Sequence, residues 1–483
     1  VSLSWILSFS DRECADPARS GGKGASLGRM AAAGFPIPTG YVVTADAYRE
    51  FLGDFDPMSR LTGVDATNAD ELRAACASLR EALRRRPLPS ELRQAMRARL
   101  ADLVARGPLA VRSSSTLEDL AGSAFAGQHD TYLGVRGWAE VEDRVRACFA
   151  SLWEDRAVRY RSERAFDHGR ARMAVVIQEM VDAEAAGVAF CLDPVSGDLD
   201  SIVVNGAWGL GETVVSGAGD VDQWRLAKAT GRVLAETLAD KSQRLALAET
   251  GTRAETVEAE RRRAACVDRT ILGEIAALCR RLESFFAFPQ DVEWAARAGR
   301  VLLLQSRPVT RFPERWTRDE SAERFPSPVT PLTWDFVVEG FHESLRHSLG
   351  LMGYPPYEGR WFERFGGWIY GNQTAVRLFT RFHLTDFAGL DELRSIASSA
   401  RERFPWVEQL PLEWARDLDA YLMALGRLSA LPFDSMSIQS LWSAVLELDA
   451  VGRDYFRPNI AISLTHAMLH RGLFRIIATL APS

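Results

Sequence analysis

Three stretches of the 483-residue sequence carry side chains whose types and spacing suit a phosphorylated ligand and a divalent cation. The first is Leu109 to Leu133, LAVRSSSTLEDLAGSAFAGQHDTYL, where a short apolar run delivers Arg112 to the end of a strand. Ser113, Ser114, Ser115 and Thr116 follow with hydroxyls and backbone N–H groups able to face an anion. Gly122 and Gly127 allow the backbone to approach a ligand closely. An ordinary polar turn, with Arg112 paired to Glu118 or Asp119, fits the same residues. The second stretch, Ser20 to Gly28, reads SGGKGASLG and predicts a short helix opening directly after a glycine loop. Its first N–H groups, with Lys23 beside them, suit an anion. The Walker A spacing is absent, and a helix start with a solvated lysine is the alternative. The third stretch, Pro289 to Pro308, predicts a β-hairpin turning at Gly299. That turn makes Glu293 and Gln305 cross-strand partners and sets Arg307 on the same face as Gln305. A carboxylate and an amide oxygen side by side are hard ligands for Mg²⁺, and an adjacent arginine suits phosphate. An Arg–Glu ion pair on a solvated hairpin face is the competing arrangement, opposed by the apolar run Val301 to Leu304 that leads into Gln305.

These residues need rigid elements to hold them. The β-branched run Met173 to Val181 predicts a central strand, whose end suits a base through backbone hydrogen bonds and packing from Met180. Residues 187–197 and 202–204 resume the β pattern. The glycine-punctuated run Ala207 to Gly217 places Glu212 where it suits a metal, a ribose or a helix cap. Residues 45–106 and 141–160 show helical spacing of apolar positions, and residues 384–483 read as mainly helical with breaks near Pro405, Pro411 and Pro432.

The composition is that of a soluble globular protein, with 47% apolar and 25% charged residues. A formal charge of −6 gives no electrostatic footprint for nucleic acid. The six cysteines form no CxxC pair or metal-ligand spacing. There is no membrane-length apolar run, and the N-terminus lacks a basic segment and cleavage site, so a cytoplasmic protein is expected.

In order along the chain, GGKGASL, P-x-P-x-G-Y-V-V-T, VRSS, FAGQ-x-x-T-Y-L, VIQEMV, AGV-x-F, DPVSG, GLGE-x-VVSG, DVEW and LLLQSRPVT resemble the nucleotide-binding domain of the pyruvate phosphate dikinase and phosphoenolpyruvate synthase family. The resemblance implies an α+β, ATP-grasp-like domain with a first lobe at residues 1–190 and a second, carrying the Mg²⁺-binding hairpin, at 191–310. It implies that Lys23 and Arg112 bind and polarise the phosphates of ATP, with Thr131 as a further contact. Gln178, Glu179, Met180 and Val181 would receive adenine, Glu293 and Gln305 would hold Mg²⁺, and Arg307 would lie beside the transferred phosphoryl group. Two departures are Cys191, where the family usually has threonine, and Ala124, where it has serine.

The family's reaction passes the β-phosphoryl of ATP to a histidine on a mobile domain, leaving AMP and phosphate, and from there to an acceptor. The histidine motif expected for that step is absent from these 483 residues. His466 lies in a helical context and reads as structural. Residues 311–483 are expected to form a mainly α-helical domain and resemble the acceptor-substrate domain of rifampin phosphotransferase-like members, with Trp334, Phe362, Phe365, Trp368 and Tyr370 as candidates for either a pocket or a core. The expected partners are therefore a small-molecule acceptor, such as a rifamycin-like antibiotic or a biosynthetic intermediate, and a phosphohistidine domain downstream or on another chain. Residues 311–483 are shorter than the family's middle domains, which suggests a fragment or a split enzyme. Alternatives are phosphoenolpyruvate synthase-type activity on pyruvate, an ATP-grasp ligase forming an acyl phosphate and ADP, and a degenerate ATP-dependent binding or regulatory module.

Overall fold

A computed structural model divides the chain into two units, Val1–Arg311 and Phe312–Ser483. It describes residues 4–65, 68–116, 130–163, 167–217, 219–309, 312–319, 321–352, 354, 357, 359–380 and 406–480. No helix among the described residues is long and apolar enough to cross a membrane.

The first unit begins with β1 (Ile6–Ser8), α1 (Pro17–Ala32), β2 (Gly40–Val43), α2 (Ala45–Leu52), α3 (Ala69–Arg85), α4 (Ser90–Arg106), β3 (Leu109–Ser115), β4 (Thr131–Val135), α5 (Gly137–Ser151), α6 (Asp155–Glu163) and β5 (Met173–Glu179). Its strands form an antiparallel sheet in the order β1-β2-β5-β3-β4, so the β-branched run lies at the centre. Both faces of β5 are covered, which is why its sequence is continuously apolar rather than alternating. Val175 and Ile177 enter one core with Leu72, Leu79 and Leu83 of α3 and Phe149 of α5. Ala174 and Val176 enter the other, with Leu27 and Met30 of α1.

A second antiparallel sheet has the order β13-β12-β6-β7-β8-β9. It is built from β6 (Ala185–Phe190), β7 (Ser201–Trp208), β8 (Asp222–Ala227), β9 (Val233–Thr237), β12 (Gln290–Arg297) and β13 (Arg300–Pro308). The short α7 (Glu212–Val215) follows β7. The hairpin of β10 (Gln243–Leu247) and β11 (Thr252–Thr256), α8 (Ala259–Arg262) and α9 (Arg269–Phe286) come between β9 and β12. The second sheet thus starts at Ala185, ahead of the boundary expected after residue 190, because β6 pairs with both β7 and β12. One face, through Val292, Trp294, Val301 and Leu303, shares the core that holds α1 and α9, which joins the two sheets.

The second unit contains β14 (Trp316–Thr317), α10 (Ser321–Arg324), α11 (Pro331–Thr333), α12 (Glu339–Leu351), β15 (Phe362–Phe365), β16 (Trp368–Asn372), α13 (Gln373–Thr380), α14 (Trp406–Ser429), α15 (Ile438–Phe456) and α16 (Asn459–Leu480). The mainly helical expectation misses a three-stranded sheet of order β14-β16-β15. Trp334, Val338, Ile369 and Phe362 pack together as a core against it. Phe365 stays exposed, and Trp368 lies under the guanidinium of Arg318. His342 is buried and accepts the Phe362 N–H at Nε2, a structural role. His466 is exposed on α16, its ring 6.2 Å from that of His470.

Candidate functional site

The β12–β13 hairpin supplies one wall of the site. Its tight turn is Ala298-Gly299, both at positive φ, with Arg297 opposite Arg300. This differs from the one-residue turn expected at Gly299, and a uniform ladder from it would place Glu293 opposite Leu304. The register instead shifts between Glu293 and Trp294, so that Leu304 is bulged out and Glu293 faces Gln305. The expected pairing is therefore present for a different reason. A bulge frees a backbone group from the ladder and turns the strand. Here the Leu304 carbonyl accepts a hydrogen bond from Arg112 Nη1 at 3.2 Å.

Arg112, on β3, reaches this wall from the first sheet. Its Nη2 donates to Glu293 Oε2 and to Gln305 Oε1, each at 2.6 Å. The arginine side chain is 10% exposed and that of Glu293 20%, so the pair lies largely out of water. The Arg112 Nε is buried and has no hydrogen-bond partner among the described residues. Two oxygen ligands thus converge on one cationic nitrogen, the donor set that a hard divalent cation takes. The described residues hold no group of three or more His, Cys, Asp or Glu side chains able to bind a metal. Further ligands to Mg²⁺ would come from water and from the phosphates themselves, as is usual for this ion.

Arg307 is fixed by Asp291, its cross-strand neighbour, through Nε and Nη2 at 2.9 and 2.7 Å from one carboxylate oxygen. Burial pushes the Asp291 carboxyl above its usual range; Arg307 opposes the rise and Glu293 adds to it. Asp291 was visible within the DVEW motif but carried no assigned role. The register that pairs Glu293 with Gln305 also pairs Asp291 with Arg307.

The serine run behaves differently from expectation. Ser113, Ser114 and Ser115 are buried within β3. The hydroxyl of Ser113 donates to Asp130 O, that of Ser114 to Ser20 O and that of Thr116 to Arg172 O. These groups order the strand rather than face a ligand. Thr131 is exposed at the start of β4 and is the cross-strand neighbour of Arg112, so the two share a face. The FAGQ motif, Gly122, Gly127, Glu118, Asp119 and Ala124 lie outside the described residues.

The GGKG stretch lies within α1, and the chain breaks at Gly21, with φ 66° and ψ 177°, before resuming as helix. Lys23 is half-buried at the second position of the resumed helix. Its charge reaches Cys148, where burial pushes the thiol well up, Asp130 adds to the rise and Lys23 opposes it.

At the end of β5, Gln178 requires a correction. It pairs with Gly40 on one side and Ala110 on the other, and its buried amide lies 3.5 Å from Pro38 O, so it belongs to the sheet interior. The N–H groups of Glu179 and Met180 donate to Thr39 O and Pro108 O. Met180 Sδ accepts from Gly134 N–H at 3.1 Å. With Val181 and Leu304, Met180 covers an apolar patch formed by Ala186, Leu210 and Ala295. Beside it a cavity of about 510 Å³ is lined by Glu179, Met180, Pro108 and Leu247 together with Arg106, Arg136 and Arg297. The tip of the β10–β11 hairpin forms part of this lining, and Gly251 N–H donates to Gly134 O at 3.3 Å. Glu212 is exposed at the first position of α7, where Gly211 is the N-cap, so its side chain is not the helix cap.

Residues 18–325 match the family described as pyruvate phosphate dikinase, AMP/ATP-binding domain. A probable phosphoenolpyruvate synthase from Methanothermobacter thermautotrophicus is 39% identical over 336 residues, covering 67% of this chain and 48% of that protein. A rifampicin phosphotransferase from a Streptomyces species is 39% identical over 319 residues, covering 64% of this chain and 37% of that protein. The prodigiosin synthesizing transferase PigC of Serratia marcescens is 38% identical over 308 residues, covering 63% and 33%. The chain thus spans between a third and a half of the length of these three relatives. With most of its residues inside the matched domain, the chain belongs to the pyruvate phosphate dikinase family.

Proposed function

We propose that residues 1–310 form an ATP-grasp-like, two-lobed site for Mg²⁺-ATP in a dikinase-type phosphotransferase. The observation that supports this reading is the junction of Arg112 with Glu293 and Gln305, which sets a guanidinium suited to phosphate against a carboxylate and an amide oxygen suited to a metal. Glu293 and Gln305 would hold Mg²⁺, which supplies neutralisation of phosphate charge. Arg112 would then exchange its present oxygen partners for phosphate oxygens, and its buried Nε gives it a further donor for them. Lys23 and Arg307 add positive charge, and Asp291 holds the Arg307 guanidinium in place. Thr131, on the face of Arg112, is the further phosphate contact. Adenine would enter beside Met180 and Val181. Because the Glu179 and Met180 amides are already engaged, its hydrogen bonds would come from carbonyls of this segment or from the Val181 N–H. Glu212 is assigned to the ribose or metal side of the site. This arrangement meets the general need of phosphoryl transfer, which is positioning and charge stabilisation rather than covalent work by the protein.

The complete reaction in this reading uses ATP and water to give AMP, phosphate and a phosphohistidine on a further domain or chain. The phosphoryl group then moves to a small-molecule acceptor, for which the second unit is the binding domain. A rifamycin-like compound, a biosynthetic intermediate and pyruvate are the acceptor classes that the names of the relatives suggest. Chromatography of the nucleotide products tests the reaction type. Incubation with ATP, Mg²⁺ and a phosphohistidine domain should yield AMP and phosphate in step with histidine phosphorylation. ADP as the nucleotide product would exclude the dikinase reading and favour a ligase-like reaction. Binding of ATP that is indifferent to Arg307→Ala, with no product in any combination, would favour a regulatory module.

A further inference from the structure

We propose that Ser114 is a positioning residue that caps, from the neighbouring strand, the helix bearing Lys23, and so fixes Lys23 relative to Arg112 for a triphosphate. The inference rests on the nucleotide reading of the site. Its starting point is the break in α1 at Gly21. A break of this kind leaves carbonyls without partners before it and N–H groups without partners after it. The residue at the break is glycine, which has no side chain with which to cap the helix that resumes at Gly22.

Ser114 serves both ends of the break with one hydroxyl. Its Oγ donates to Ser20 O at 2.8 Å and accepts from Gly24 N–H at 3.2 Å, and both bonds are buried. A serine hydroxyl has one donor and two acceptor positions, so one group can do both. The break is also pressed against β3: a Cβ added at Gly21 would lie 2.2 Å from Ser114 O. Positive φ and this contact both require glycine at position 21. With the Gly24 amide bound to Ser114, the first turn of the resumed helix is anchored to β3, and Lys23 stands within that turn.

Ser114 lies two residues beyond Arg112 on β3, so the two side chains share a face of the strand. One strand face therefore presents Arg112 directly and sets Lys23 through the helix cap. That Arg112 is poised for a ligand has independent support in its buried Nε, which has no partner among the described residues. This role accounts for a serine whose hydroxyl faces no ligand.

The test compares Mg²⁺-ATP and adenosine binding by calorimetry in the full chain, its Ser114→Ala variant and its Ser114→Thr variant. The expected result is a loss of ATP affinity of tenfold or more in Ser114→Ala, adenosine affinity within twofold of wild type, and recovery of most ATP affinity in Ser114→Thr. Hydrogen exchange at the Gly24 amide supplies a second readout, which should accelerate at least tenfold in Ser114→Ala while the β3 amides stay protected. Equal loss of ATP and adenosine affinity, or unchanged ATP affinity and unchanged Gly24 exchange, would overturn the positioning role. Wild-type chain that binds no ATP would overturn the nucleotide reading and this proposal with it. The two failures are therefore distinguishable.

Discussion

The two walls of the site are built on opposite plans. On the β3 wall the polar groups are locked into backbone hydrogen bonds, and one cation, Arg112, projects across. On the β12–β13 wall a carboxylate and an amide are set side by side by a bulge, and a second cation, Arg307, is held by its own acid. The first wall offers positive charge on a rigid strand, and the second offers oxygen ligands on a distorted one. Neither is a complete site. Their junction is a largely buried ion pair, which is costly to leave half-formed, and in the proposed site it would be exchanged for ligand contacts.

The largest expected effect comes from breaking that junction. Arg112→Ala should weaken ATP binding by about ten- to a hundredfold, the worth of one charge-assisted hydrogen bond or somewhat more. The same change should strengthen Mn²⁺ binding in the absence of nucleotide, because Arg112 now holds both candidate ligand oxygens. Electron paramagnetic resonance of free Mn²⁺ measures this, and unchanged affinity would separate Arg112 from the metal site. On the other wall, Gln305→Ala removes a neutral ligand and should cost less, about tenfold or under in Mg²⁺-dependent ATP affinity.

A smaller effect is expected where the lobes touch through backbone. Gly134 has φ 72°, and a Cβ there would lie 2.3 Å from Gly251 O. Gly134→Ala should free the tip of the β10–β11 hairpin beside the cavity and raise the nucleotide dissociation rate in stopped-flow measurements. An unchanged rate would mean that the hairpin does not gate exit.

The smallest concerns pH. Burial raises the Asp291 carboxyl, so between the ordinary carboxylate value near 4 and its raised value the folded protein holds more protons than the unfolded chain. This group's contribution to stability therefore grows as pH falls through that window and is lost as pH rises through the folded-state value. Urea unfolding should show wild type gaining on Asp291→Asn as pH falls there; parallel curves would contradict the assignment.

Much of the second wall was legible in sequence because a hairpin converts spacing into contact. Glu293, Gln305, Asp291 and Arg307 follow from one register, although the bulge at Leu304 could not be read from the apolar run that contains it. The first wall was harder to read. A run of Ser113 to Thr116 is equally suited to a ligand and to backbone carbonyls, and the choice depends on distant partners such as Ser20, Asp130 and Arg172. Gln178 was misplaced for the same reason, since its neighbours Gly40 and Ala110 come from other strands. In the second unit, the aromatic residues fit a pocket or a core equally well in sequence, and Trp334, Phe362 and Ile369 form a core around a small sheet that the helical pattern did not announce.

The most direct test of the account is a calorimetric titration of the wild-type chain and its Glu293→Gln variant with ATP, repeated across a range of Mg²⁺ concentrations. ATP binding should tighten with Mg²⁺ in the wild type and lose most of that dependence in the variant. Equal Mg²⁺ dependence in the two proteins would contradict the assignment of Glu293 and Gln305 as the metal-holding wall of a nucleotide site.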